Sequence, residues 1–209
     1  MKKLLVIFAA AAMLFTAGCA KGNKENDENP DTQQQQEQVA DLYAEKIAFT
    51  IEMENGDIMK GELYPQVAPQ TVANFVKLAE EDAYDGLIFH RVISGFMIQG
   101  GGYNEDMEEL VAESIPGEFA SNGFKNDLKH ERGVISMART QVPDSASSQF
   151  FIMHADASYL DGEYAAFGKI TEGLEVVDKI ADVETTTYAG VMENFPVEAQ
   201  VIKTITIND

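Results

Sequence analysis

Ile88-Phe89-His90-Arg91-Val92-Ile93-Ser94-Gly95-Phe96-Met97-Ile98-Gln99-Gly100-Gly101-Gly102 sets one cation, Arg91, among aromatic and sulfur-bearing neighbours, with Gln99 and three glycines behind it. Read as a strand, the first half alternates: Phe89, Arg91 and Ile93 point one way, His90 and Val92 the other. Ser94-Gly95 is a turn signal, so a second strand begins near Phe96. Its alternation puts Phe96 and Ile98 on one face, Met97 and Gln99 on the other. Two such neighbours carry Arg91, Phe96 or Met97, and Gln99 to a common surface. A cation beside apolar side chains is costly unless it has a partner or a use. Two readings follow: an arginine paired with one of the many acids, or an arginine kept for chemistry.

Outward from this stretch the chain reads as strands with few helices. Ile47, Phe49, Ile51 and Met53 alternate with Ala48, Thr50 and Glu52, a half-buried strand. Asn55-Gly56 makes a hairpin turn, Ile58 to Tyr64 returns as a second strand, and Pro65 ends it. Pro69 sits where a helix loses nothing by lacking an N–H. Val72, Phe75, Val76 and Ala79 follow at helical spacing, so one face of that helix must be covered. Further strands are expected at Val134 to Ala138, Phe150 to Met153, Ala165 to Thr171 and Gln200 to Ile207. A second helix is expected over Gly173 to Ala181, burying Leu174, Val177 and Ala181. Tyr103 to Glu118 reads as an irregular acidic run, and Phe119 to Lys129, Gln141 to Ser148 and Glu184 to Val197 read as loop. About eight strands and two helices without a βαβ rhythm predict an all-β, mainly antiparallel sheet closed on itself, with helices over its ends. Propensity alone does not separate a barrel from a sandwich.

The N-terminal segment is of another kind. Lys2-Lys3 precedes an unbroken apolar run from Leu4 to Phe15, shorter than a membrane span, and Thr16-Ala17-Gly18-Cys19 follows. This resembles the bacterial lipoprotein signal, in which Cys19 becomes the lipidated first residue. An ordinary secretory signal cleaved nearby and an uncleaved anchor are the other readings. Residues 19–45 are a polar linker with four consecutive glutamines, too poor in apolar side chains to offset their own ordering. The organisation expected is therefore a signal at 1–18, a tether at 19–45 and one folded domain at 46–209.

Composition narrows the function. In 209 residues the formal net charge is −20, which repels nucleic-acid phosphates and favours solubility. An acidic rim would disfavour acidic peptides. The single cysteine excludes an internal disulfide, and no Cys/His spacing suits a metal. The triple glycine lacks a phosphate-loop pattern, Ser147-Ser148 lacks a nucleophile elbow, and no two carboxylates stand out as a glycosidase pair. His90, His130 and His154 read as structural histidines.

Four blocks then agree in order and spacing with one family. Phe89-His90-Arg91-Val92-Ile93-x-Gly95-Phe96-Met97-x-Gln99-Gly100-Gly101 is followed by Gly133-Val134-Ile135-Ser136-Met137-Ala138-Arg139, by Ser147-Ser148-Gln149-Phe150-Phe151-Ile152, and by Tyr159-Leu160-Asp161-Gly162-Glu163-Tyr164-Ala165-Ala166-Phe167-Gly168. From about Lys46 onward the chain resembles the cyclophilins, the peptidyl-prolyl cis-trans isomerases. The resemblance implies a closed eight-stranded barrel capped by two helices, with its site on the outer surface. It implies Arg91 as the residue that stabilises the twisted amide, with Gln99 orienting it. Phe96, Met97, Phe151, Leu160 and Tyr164 become the lining of a proline slot. Arg139 grips the peptide through its backbone, with Ala138 and Gln149 alongside, and Tyr159 completes the substrate-binding set. Two positions depart from many members: Tyr159 replaces a tryptophan and Tyr164 a histidine. The loop between Ala138 and Gln149 is one residue longer than in common eukaryotic members.

The rotation this implies breaks no bond, so no nucleophile, metal or cofactor is expected. Its barrier is ~18–20 kcal/mol, set by amide resonance. The expected partners are proline-containing polypeptides and a membrane reached through Cys19. The enzyme would work as a monomer on the extracytoplasmic face of the cell membrane. A module that holds proline-containing segments without turnover is the competing reading. A solute-capturing lipoprotein would need two lobes, which one compact domain does not supply.

Overall fold

The computed structural model describes residues 45–208, so the predicted signal, the tether and Cys19 lie outside the described residues. Ten strands and two α-helices are present among them: β1 Ile47–Met53, β2 Ile58–Leu63, α1 Pro69–Glu80, β3 Leu87–Ile93, β4 Met97–Asn104, β5 Val134–Met137, β6 Phe150–Met153, β7 Ala166–Glu172, α2 Leu174–Ala181, β8 Thr185–Tyr188, β9 Met192–Pro196 and β10 Ile202–Asn208. Eight strands form one sheet in the order β10-β1-β2-β7-β5-β6-β4-β3, and every named pairing is antiparallel.

The two ends of that order meet. Ile88 and Val201 form an antiparallel bridge. The N–H of Gly86 donates to the Ile202 carbonyl at 2.9 Å and that of Phe89 to the Gln200 carbonyl at 3.0 Å. The sheet therefore curls into a barrel, closed by this short seam rather than a full ladder. Closure of this kind leaves no long edge to recruit a foreign strand.

Alternation sorts the side chains into two apolar groups. The larger fills the barrel and the space under both helices. Its centre is Phe75 of α1, whose ring lies 5.3–5.7 Å from those of Phe49, Tyr84, Phe150 and Phe167. The smaller lies on the outer face, where Met97, Val134, Phe151, Met153, Leu160 and Ala166 pack with Phe96 and Tyr164. So Phe150 and Ile152 face inward while Phe151 and Met153 face outward on one four-residue strand. The core members of the outer group are themselves buried, so this part of the outer face is covered by chain, with Phe96, Ala138 and Tyr164 partly buried against it.

The N-terminus of α1 is finished from a distance. Ala68 offers no capping side chain. Instead the fully buried Glu118 accepts the N–H of Gln70 at 3.0 Å and of Thr71 at 2.8 Å. The acidic run thus ends on a carboxylate used to seat a helix. Burial raises the Glu118 pKa, and the two donated N–H groups oppose that rise.

The structure departs from the sequence expectations at four points. Glu184 to Val197 is not loop: β8 and β9 make a hairpin, with Tyr188 and Phe195 rings 4.9 Å apart. Its first strand is wholly exposed Thr-Thr-Thr-Tyr, which carries no alternation to read. Leu174 is only half-buried, and Val176 and Ile180 join Val177 and Ala181 as the buried face of α2. Phe96 sits in the turn before β4 and joins the outer cluster, not the side of Ile98. Finally, Phe89 and Arg91 do not share a face. Phe89 pairs with Gly100 and Arg91 with Gln99, so β3 carries one extra residue, His90, against β4. This bulge sends Phe89 into the core and turns Arg91 outward, which is how bulges re-aim side chains.

Candidate active site

The register lays one row of residues across four strands: Arg91 on β3, Gln99 on β4, Phe151 on β6 and Ser136 on β5 are successive partners. The row crosses the outer face. Above it opens a cavity of about 160 Å³ lined by Arg91, Phe96, Met97, Gln99, Ala138, Arg139, Phe151, Leu160 and Tyr164. Phe151 is its floor, with the Tyr164 ring edge-on at 5.7 Å.

Arg91 is half-buried at one lip. Its Nη1 donates to Gln99 Oε1 at 3.3 Å and lies 3.9 Å from Met97 Sδ. Among the described residues no ion pair involves Arg91, so the acid-paired reading does not apply there. Gln99 is held in turn: its Nε2 donates to Gln149 Oε1 at 3.0 Å. Gln149 has room to reach it because the facing residue is Gly102, where a Cβ would stand 2.6 Å from the Gln149 side chain. The neighbouring glycines make space likewise, Gly100 for Phe89 and Gly101, at φ +77°, for Phe150. The triple glycine is a packing device more than a turn.

The opposite lip is built around Arg139. Its guanidinium lies 4.8 Å from the Phe119 ring centroid and 4.7 Å from that of Tyr164. Nε and Nη2 donate to the Glu163 carbonyl at 3.1 and 2.8 Å, and Nη1 to that of Thr140 at 2.9 Å. The side chain is thereby committed to structure. Its backbone is not: among the described residues neither its N–H nor its carbonyl has a backbone partner. An extended peptide could add there as a strand does.

Two cavities flank the notch. One of about 240 Å³ extends past Ala138 and Arg139 to Thr140 and Ser145, with Glu109 on its wall. The other, about 390 Å³, lies beyond Arg91 against β9. Gln149 lines both flanking cavities and not the notch itself. Tyr159 lines none of the three. It is 70 % exposed, its ring stacked on Phe96 with centroids 6.0 Å apart, so it stands outside the notch and buttresses Phe96.

Beneath the floor runs a polar network that sequence reasoning did not find. The His130 ring stacks on Phe151 at 6.0 Å and 17°. Its Nε2 is 3.1 Å from Ser136 Oγ and its Nδ1 3.2 Å from Asp161 Oδ1. The serine is fully buried, so this Asp-His-Ser line is a support for the floor and has no access to substrate. Burial lowers the His130 pKa, with Asp161 opposing. His90, the bulged residue, is buried too, and burial pushes its pKa down to about 4. Both rings are therefore neutral near pH 7.

A closed antiparallel barrel with a small apolar notch on its outer face, a guanidinium without an ion pair at its lip and a free backbone edge opposite has the shape to take an extended peptide carrying a compact apolar residue. The family described as cyclophilin type peptidyl-prolyl cis-trans isomerase/CLD matches residues 48–207. The chain is 46 % identical to a peptidyl-prolyl cis-trans isomerase of Acinetobacter baylyi, over 70 % of this chain and 77 % of that one. It is 39 % identical to peptidyl-prolyl cis-trans isomerase B of Escherichia coli, over 77 % and 99 % respectively. The crystal structure of a Cryptosporidium parvum cyclophilin type peptidyl-prolyl cis-trans isomerase superposes with TM-score 0.66 at 28 % identity, covering 79 % of this chain and 99 % of that one. The same protein in the presence of the dipeptide Ala-Pro gives 0.64 at 28 % identity, covering 78 % and 99 %. The chain belongs to the cyclophilin-type peptidyl-prolyl cis-trans isomerases, and its activity is the interconversion of cis and trans X-Pro bonds.

Proposed function

We propose that Arg91 carries the catalysis. At the half-rotated geometry the proline nitrogen loses conjugation and regains a lone pair. A donor aimed at that nitrogen stabilises the twisted amide over both planar forms, which is differential transition-state binding. Arginine suits this because its fork is planar, always charged and able to orient a carbonyl as well. The observation that carries the reading is the unpaired Arg91 at the lip of a notch of about 160 Å³. In this reading Phe96, Met97, Phe151, Leu160 and Tyr164 hold the proline ring. Gln99, itself held by Gln149, fixes the guanidinium. The Arg139 backbone, beside Ala138, takes the peptide in extended form. The Ala-Pro dipeptide present with the Cryptosporidium relative supports a proline-containing ligand.

The setting we propose is the outer face of a membrane, with the domain tethered by a lipid on Cys19 and acting as a monomer on exported chains. Slow X-Pro isomerisation limits folding, so a foldase is useful there. The sequence from Lys2 to Cys19 supports this.

The deciding experiment is isomerisation of a proline tetrapeptide by the purified protein and by its Arg91→Ala variant. Turnover nearly lost in the variant, with unfolding temperature unchanged, is the expected result. Equal turnover in both would remove Arg91 from the mechanism. Peptide binding without turnover by the parent would favour a holding module. Separately, Cys19→Ser should release the protein from membranes; retention would end the lipid-anchor reading.

A further inference from the structure

The groove of about 390 Å³ beyond Arg91 is larger than the notch and shares Arg91 and Gln99 with it, so a chain leaving the notch on that side enters it directly. Tyr103, edge-on to His90 at 5.0 Å, is among its lining residues. The β8–β9 hairpin lines it too, with Val191 of the turn and Met192, Glu193 and Asn194 at the start of β9. The hairpin is shaped at this end by positive φ at Ala189, Gly190 and Asn194. Val191 is 78 % exposed, an apolar side chain with nothing over it.

The charges are few and separated. Arg91 stands at the end shared with the notch and Glu193 at the hairpin end; buried His90 is neutral near pH 7. Among the described residues Glu193 makes no ion pair. A cationic side chain in the groove is pushed from Arg91 and drawn to Glu193. Its aliphatic stem then crosses Tyr103 and Met192, the usual way a long basic side chain is accommodated. An acidic side chain there is repelled by Glu193 and is drawn instead to Arg91 at the end shared with the notch.

We infer that the β8–β9 hairpin is a specificity wall, and that its groove takes a lysine or arginine flanking the substrate proline, read by Glu193. This rests on the isomerase reading of the adjoining notch. It gives the hairpin a role at the site.

The test is a set of proline peptides with alanine at every flanking position, or with a single lysine or glutamate moved through those positions. For each protein the quantity read is kcat/KM for the charged peptide divided by that for the alanine parent. Lysine is expected to be favoured about 2–5-fold at one position only, as suits an exposed pair, with the preference shrinking as salt rises. Glu193→Gln should abolish that preference. Glu81→Gln, the same charge change at the end of α1, should not. A lysine preference spread evenly over positions, or weakened equally by both variants, would assign the effect to net charge and overturn the inference. So would a preference for glutamate, or none. Failure to turn over the alanine parent would instead sink the isomerase reading, and this inference with it.

Discussion

Arg91 and Gln99 face one another across β3 and β4, and the guanidinium donates to the amide oxygen at 3.3 Å. The pair exists because a one-residue bulge at His90 turns the arginine outward, so catalysis is expected to be sensitive to groups that never touch substrate.

Arg91→Lys keeps the charge and loses the fork. We expect kcat/KM to fall at least tenfold, and Arg91→Ala to lose about 10²–10³, the cost of removing a preorganised donor. Circular dichroism and unfolding temperature should match the parent, since Arg91 is half-buried and makes no ion pair among the described residues.

Gly102→Ala tests the relay. A Cβ 2.6 Å from Gln149 must displace that side chain, and with it the acceptor of the Gln99 Nε2. One hydrogen bond is worth about 1 kcal/mol, so a five- to tenfold fall in kcat/KM is expected. Gln149→Ala should match it, and the double variant should cost no more than either alone. Additive losses would show that Gly102 acts by another route.

Acid should destabilise the fold through its histidines. His90 has a folded pKa of about 4 against about 6.5 in the unfolded chain. The unfolded state therefore binds more protons between those values, and stability is present above pH 6.5 and lost as pH falls toward 4. The loss attributable to His90 is at most ~3 kcal/mol. His130 shifts the same way. Denaturant midpoints measured from pH 7 to 4 should fall, and fall less in His90→Gln.

Glu118→Ala should cost about 1–3 kcal/mol by leaving two N–H groups of α1 without their acceptor. Phe75→Ala should cost about 3–5 kcal/mol, because it empties the centre of the aromatic cluster. Calorimetry reads both, and an unchanged melting temperature for either would contradict the packing described.

The barrel strands with one apolar face were legible in the sequence, because burial on one side writes a period of two into β1 and β2. The order of the sheet was not, since its seam rests on Ile88 and Val201, 113 positions apart. The β8–β9 hairpin escaped notice because Thr185 to Tyr188 bury nothing. At the site, the four motif blocks named the lining of the notch. Tyr159, carried over as a substrate-binding residue, stands outside that lining on the short helical turn Ser158–Leu160. Local alternation also failed at Phe89 and Arg91, since a bulge leaves no mark in composition. The His130–Ser136–Asp161 line was hidden for another reason: its members come from three separate segments and are polar residues of ordinary kinds.

The two apolar groups have a consequence for how this protein can change. Interior rings set whether the chain folds; in the reading proposed above, the outward cluster sets what it grips. A lineage altering Phe96 or Tyr164, which are only partly buried, would put its choice of clients at stake more than its survival as a folded body. New appetites can therefore be tried on an old frame, one side chain at a time.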